Sequence, residues 1–343
     1  MSTMLNTSLT ELLGIEVPLI CGAMYPCTNP ELVAAVSEAG GIGIVQPMSL
    51  EFVHKYEYRK GLRRIRELTD KPIGVNLILE KSAKVYEDRV RRWLDISLEE
   101  GVRFFVTALG KPDEVVAKVH AAGGTVFHDV TSRKWADRAI AGGVDGLICV
   151  NNRAGGHAGE LTPQELIADC KDLGVPLICA GGVGGEQDFI DALELGFAGV
   201  QMGTRFIASA ECSVHNDYKA AIVRAQQEDI VLTEKLSGVP VAVIKTPYIE
   251  RIGTKAGPIA RWMLRGRKTK HWMRTLYALQ SIWQLRQAVH KGNAYKDYWQ
   301  AGKSVKDIDK VEPAGDIVRS FAAAVRAHEI AKKADDADLA AAS

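Results

Sequence analysis

Three glycine-rich stretches hold the residues best suited to chemistry. Asn152-Arg153-Ala154-Gly155-Gly156-His157-Ala158-Gly159 sets a histidine in a frame of glycines. Glycine backbone can approach a flat or anionic ligand closely, and an imidazole exchanges protons near neutral pH. His157 is therefore the candidate acid–base residue; the plain alternative is a structural histidine. Ala180-Gly181-Gly182-Val183-Gly184-Gly185 and Gln201-Met202-Gly203-Thr204 follow, each one β/α unit after the last. Backbone N–H groups in two such adjacent turns can cradle a phosphate; without a ligand they are simply tight turns. Asn76, in GVNL, ends an apolar run and needs hydrogen-bond partners, which a heteroaromatic ring edge or its own loop could supply. His128 ends another apolar run and could bond a phosphate or a ring. His54, His120, His271, His290 and His328 fall in helical patterns and read as surface or packing residues. The spacing of His128 and His157 gives no metal motif, and Cys179, inside a strand, reads as core. There is no P-loop and no dinucleotide fingerprint in the right place.

Eight apolar runs must carry these residues: 18–24, 41–47, 72–79, 103–109, 125–130, 146–151, 176–182 and 199–206. Most are continuous rather than alternating, as in parallel strands covered on both faces. Helical patterns separate them. NPELVAAVSEAG starts at a capping asparagine and ends at glycine. SLEFVHKYEYRKGLRRIRELT reads as one longer helix, and four helices stop at a glycine just before the next strand. Eight such units predict a (β/α)8 TIM barrel, with an open doubly wound sheet as the rival. In a barrel, chemistry gathers at the C-terminal strand ends, where Met24, Asn76, His128, His157, Gly181, Gly182, Gly203 and Thr204 stand.

After Phe206 the rhythm breaks. ECSVHNDYKAAIVRAQQED reads as a helix leading into VPVAVIKTP. Residues 250–300 are basic and aromatic, with Trp262, Trp272, Trp283 and Trp299, and read as two helices broken near Gly266. This segment is expected to cap the barrel mouth; packing on the barrel side or on a second subunit is the alternative. EPAGDIVRSFAAAVRAHEIAKK reads as a final outer helix. The division expected is a barrel of 1–212 and 304–333, a cap of 213–303 and a flexible tail of 334–343.

Composition narrows the function. Lys+Arg number 43 and Asp+Glu 42, a formal net charge of +1, so no broad field favours nucleic acid or an anionic membrane. Six scattered cysteines without a CxxC pair suit a reduced, cytoplasmic protein. No apolar run approaches a membrane span, and the N-terminus has no signal pattern.

CGAM, GVNL, AGGHAG, CAGGV and QMGTRF occur in this order, over most of residues 15–220. The chain thereby resembles the nitronate monooxygenase (2-nitropropane dioxygenase) family of FMN-dependent TIM barrels, whose motifs are shared by related NADH:quinone and enoyl-ACP reductases. The resemblance implies FMN across the barrel mouth. Gly22, Ala23 and Met24 would line the ring, and Asn76 and His128 would approach the ring or ribityl chain. Gly155 and Gly156 would pack nearby. Ala180, Gly181, Gly182, Gln201, Met202, Gly203 and Thr204 would surround the phosphate. His157 would be the catalytic histidine. The implied partners are a nitronate, O2 and, in the alternative reductase reading, NAD(P)H; a homodimer is compatible. Two departures concern the substrate: the family carries a lysine or glutamine-like residue near His128, and SGVPVAVIKTPYIERIG is not the usual cap sequence. A barrel that binds a phosphate ligand or a protein partner without catalysis is the reading from another class.

Overall fold

The computed structural model describes residues 3–80, 84–235, 239–255 and 298–342. Eight parallel strands close into a barrel: β1 (Leu19–Cys21), β2 (Ile42–Val45), β3 (Ile73–Ile78), β4 (Phe104–Ala108), β5 (Thr125–Val130), β6 (Gly146–Val150), β7 (Leu177–Ala180) and β8 (Gly199–Met202). The pairing of β1 with β8, Cys21 opposite Met202, excludes the doubly wound alternative. The outer helices are α2 (Pro30–Glu38), α3 (Tyr58–Arg66), α4 (Lys84–Glu99), α5 (Asp113–Ala121), α6 (Arg133–Ala141), α7 (Pro163–Cys170) and α8 (Glu186–Glu194). A long last helix (Ala314–Ala342) lies against α2 and α8, its Phe321 ring edge-on to Phe189 at 5.4 Å.

The ladder fixes which residues share a level. Following partners once round the barrel from Ile20 returns to β1 eight residues lower, at Leu12. That stagger of eight puts the inward side chains of alternate strands in common layers. Ile20, Gly74, Phe127 and Ile178 make one layer, and Ile44, Val106, Ile148 and Gln201 the next. Gly22, Asn76, Asp129 and Ala180 make the layer above, at the mouth. The apolar members of these layers form one buried cluster, distinct from the shell between strands and helices. Phe104 meets Phe127 edge-on at 5.2 Å inside the barrel. Gly146 leaves the room, since a Cβ there would sit 2.4 Å from the Phe127 ring. The bottom is plugged by helix α1 (Ser8–Leu13), whose Leu9 joins the inner cluster. Thr7 and Thr10 form its capping box, and Thr7 Oγ1 donates to Ala198 O at 2.6 Å.

Several local expectations are corrected. Strand β8 ends at Met202, and Thr204–Ile207 form a short helix, α9, because Gly203 turns the chain out of the sheet. The helix expected over 49–69 is broken: a π-helical turn spans Ser49–Val53, Lys55 has φ +63°, and α3 starts at Tyr58, capped by Glu57. Asn29 precedes α2 but does not cap it with its side chain, which reaches Glu31 and Glu211 O instead. The helix within 211–229 is α10 (Asn216–Arg224). It is followed by an antiparallel pair, β9 (Ile230–Thr233) and β10 (Val241–Ile244), and by α11 (Pro247–Ile252). The last helix, α12, continues through 334–342, set apart above as a tail. The two helices expected around Gly266 lie outside the described residues.

Gly146→Ala is expected to lower stability by about 1–3 kcal/mol, because its methyl overlaps Phe127 in a filled interior. Urea unfolding followed by circular dichroism checks this; an unchanged midpoint contradicts the packing described.

Candidate functional site

The turn after β7, a later strand at Ala242 and residues 300–303 all meet the loop after β6. Asn151 is fully buried. Its Nδ2 donates to Gly181 O at 2.9 Å, and its Oδ1 accepts from Arg153 N at 2.8 Å. Its backbone oxygen takes Ala154 N and Gly159 N. One side chain thus ties the histidine loop to the turn after β7. Gly181, at φ +116°, permits the contact: a Cβ there would lie 2.6 Å from Ala154 N.

Two later segments brace the same loop. Ala242 N of β10 donates to Gly156 O at 2.7 Å, and Lys303 N to Arg153 O at 2.9 Å. Trp299 stacks on Tyr218 of α10 at 5.7 Å. Gly302 N donates to Thr204 Oγ1 at 2.9 Å. The described part of the 213–303 region therefore meets the barrel at its C-terminal mouth. The rest of the expected cap, 256–297, lies outside the described residues.

The residues singled out from the sequence separate into groups. Gly22, Asn76 and Ala180 share the top interior layer. Gln201 stands just below, with its Cγ 3.0 Å from where a Gly22 Cβ would be. Ala23 packs against the inner cluster, and Met24 sulfur lies 3.4 Å from the place of a Gly203 Cβ. Asn76 Nδ2 donates to Val106 O at 3.3 Å. The backbone N–H groups of Gly182, Gly203 and Thr204 meet no acceptor among the described residues. Met202 points into the outer core, so only its backbone reaches the mouth. Gly155, Gly156 and His157 form the loop that rims the opening.

His128 is placed differently from the expectation. Strand alternation sets it on the face of Val126 and Val130, toward the helices, with Nδ1 2.8 Å from Thr107 Oγ1. Burial pushes its pKa down to about 4, so it is neutral at pH 7. The interior position belongs to its neighbour, Asp129, whose Oδ1 is enclosed and has no partner among the described residues. Burial raises that carboxyl to about 7. Arg153 also lacked a sequence assignment. Its Nε is enclosed and unpartnered among the described residues, 2.5 Å from where a Gly182 Cβ would be. Charge inside a glycine-rich loop was the available signal for Arg153. For Asp129 it was an acid near the C-terminal end of a largely apolar strand. His157 is exposed at the rim, yet the protein crowding its ring lowers its pKa.

A closed parallel barrel whose C-terminal mouth gathers a histidine loop, a polar floor and open N–H groups is a TIM-barrel enzyme. The chain belongs to the nitronate monooxygenase family of oxidoreductases, whose model matches residues 6–323. It is 28% identical to a (3aS,4S,5R,7aS)-5-hydroxy-7a-methyl-1-oxo-octahydro-1H-indene-4-carboxyl-CoA dehydrogenase of Rhodococcus jostii, covering 94% of this chain and 96% of that one. It is 27% identical to a probable nitronate monooxygenase of Staphylococcus saprophyticus, covering 88% and 92%. The structure of FabK from Thermotoga maritima superposes with a TM-score of 0.79 at 30% identity, covering 96% and 99%.

Asn151→Ala leaves two partly buried backbone groups without their partners and is expected to cost about 1–3 kcal/mol. Thermal unfolding measures the loss, and proteolysis should cut first between 151 and 160; a melting curve like that of the wild type would oppose this role.

Proposed function

We propose that the protein is an FMN-dependent oxidoreductase that oxidises alkyl nitronates with O2 to carbonyl compounds and nitrite. One observation carries the reading: the N–H groups of Gly182, Gly203 and Thr204, which meet no acceptor among the described residues, stand at the mouth beside the small residues Gly22 and Ala180 and the rim histidine, His157. The orphaned Asp129 Oδ1 and Arg153 Nε fit a bound group that supplies acceptors, as a flavin phosphate and ring do. FMN, when bound, supplies the ring that accepts the substrate's electrons and passes them to O2.

The chain's own residues do the rest. The N–H groups and Arg153 hold the phosphate. Asn76, Asp129 and Gln201 form the polar floor beneath the ring. His157, neutral at pH 7, takes a proton from the α-carbon of a neutral nitroalkane or donates a hydrogen bond to a nitronate oxygen. Gly155 and Gly156 let residues 300–302 pack closely against the rim. The β10 strand and residues 298–303 brace that rim.

A second reading has its own support. Residues 256–296 carry nine Lys and Arg and no Asp or Glu, and the Rhodococcus relative is named for a CoA thioester. In that reading NAD(P)H or the thioester exchanges electrons with FMN, and His157 positions or protonates the acyl substrate. Anaerobic mixing separates the two. Rapid bleaching of the flavin by NADH supports the thioester reading; nitrite formed from propyl nitronate in air supports the first. A colourless protein that FMN cannot reconstitute defeats both.

His157→Ala is expected to lose at least about tenfold in kcat/KM on a neutral nitroalkane, with FMN retained. Because burial lowers the pKa, the active neutral form persists below pH 6.5, and activity falls only as pH drops through the lowered value. Initial rates against pH check this; an unchanged H157A rate removes His157 from the chemistry.

A further inference from the structure

We infer that Asp129 holds the pyrimidine edge of FMN through the O–H of its neutral carboxyl, so that cofactor affinity weakens as pH rises. This rests on the flavin reading above.

Position is the first argument. Asp129 shares the mouth layer with Gly22, Asn76 and Ala180, and two of those four are too small to obstruct a flat ligand. The open N–H groups lie after β7 and β8; β3 stands across the mouth from β7, and β5 lies two strands round from β7. A ligand held by its phosphate at β7 and β8 and laid over the mouth passes across the layer that carries Asn76 on β3 and Asp129 on β5. In FMN that end is the ring system. Its pyrimidine edge carries two carbonyls, N1 and N3–H; its dimethylbenzene edge carries no hydrogen-bonding group. Asn76 and Asp129 are the polar members of the layer, and Asp129 Oδ1 has no partner among the described residues.

Charge is the second argument. The inward neighbours of Asp129 are Val106 and Ala108 on β4 and Ile148 and Val150 on β6, none of them titratable. Asn76 and Gln201 are neutral. His128 faces the helices and is itself neutral at pH 7. Arg153 and His157, on the loop above, do not enter its shift, which burial alone causes. The carboxylate therefore has no cation among these neighbours, and the enclosed site favours the acid form. An O–H donor matches the carbonyls and N1 of the pyrimidine. An ionised carboxylate sets its lone pairs against theirs and is left with N3–H as its one donor on that edge.

The sign follows by linkage. The bound complex keeps the proton and the free protein releases it near pH 7, so affinity is flat below that value and falls above it, by up to about tenfold per pH unit. FMN dissociation constants, read from flavin fluorescence quenching between about pH 5.5 and about pH 9, test this for wild type, Asp129→Asn and Asp129→Ala. The asparagine variant keeps an N–H donor, cannot ionise, and shares the titration of the FMN phosphate, so the difference between its profile and the wild type's is the readout. Expected is a wild-type affinity that drops above pH 7 relative to a flat D129N ratio, with D129A weaker throughout. Wild-type binding that tightens with pH relative to D129N, or equal profiles for wild type and D129N, would falsify the assignment. Thermal melts of the apoproteins show whether the variants fold. If D129N does not, riboflavin binding by wild type decides, since riboflavin has no phosphate to titrate: a flat profile overturns the inference, a fall above pH 7 upholds it. Wild type that binds no FMN at any pH sinks the flavin reading itself, a result distinct from these.

Discussion

The eight-residue stagger of the closed ladder is the constraint on which the rest depends. A closed sheet with that stagger can hold side chains only in layers drawn from alternate strands. The layers are filled by Ile20, Phe127, Ile44 and their neighbours until the mouth, where Gly22 and Ala180 stop the filling and Asn76 and Asp129 turn it polar. The floor of the site is the first layer that the core leaves unfinished. Its composition is then a matter of chemistry rather than packing.

Above that floor the mouth is organised by buried polar bonds. Asn151 joins the turns after β6 and β7 from a position with no solvent contact, where an unmade bond is costly. Residues 300–303 and β10 then bind the same loop through backbone groups. The histidine loop is rich in glycine yet held along its length. The glycines are there for close approach, Gly155 against Ala301 and Gly302 and Gly181 against Ala154, more than for freedom of movement.

The titratable groups near the mouth share a tendency toward their neutral forms. Burial lowers His128 and raises Asp129, and the protein crowding the ring of the exposed His157 lowers that group as well. A neutral imidazole can accept a proton, and a neutral acid can donate a hydrogen bond. Arg153, packed against Gly182 of the turn after β7, is the cation that the histidine loop itself contributes.

The sequence by itself determined the barrel, the eight strand positions to within a few residues, and the mouth turns. Continuous apolar runs, glycine stops and motif order are local properties, and parallel strands under helices write them directly into the chain. It also placed Gly22, Ala180 and His157 at strand ends or in loops, where the structure has them, whereas Asn76 lies within β3 with two strand residues after it. Two neighbours exchanged roles only in three dimensions. His128 and Asp129 both end β5, and which faces inward depends on a register set by pairing with β4 and β6. The helix over 49–69 broke at Lys55, which adopts a positive φ that residue type alone does not announce. The bond from Asn151 to Gly181 and that from Gly302 to Thr204 join residues 30 and 98 apart in sequence. No local signal encodes such contacts, because they arise from barrel closure, which brings the ends of β6, β7 and β8 and the late return of the chain to one place.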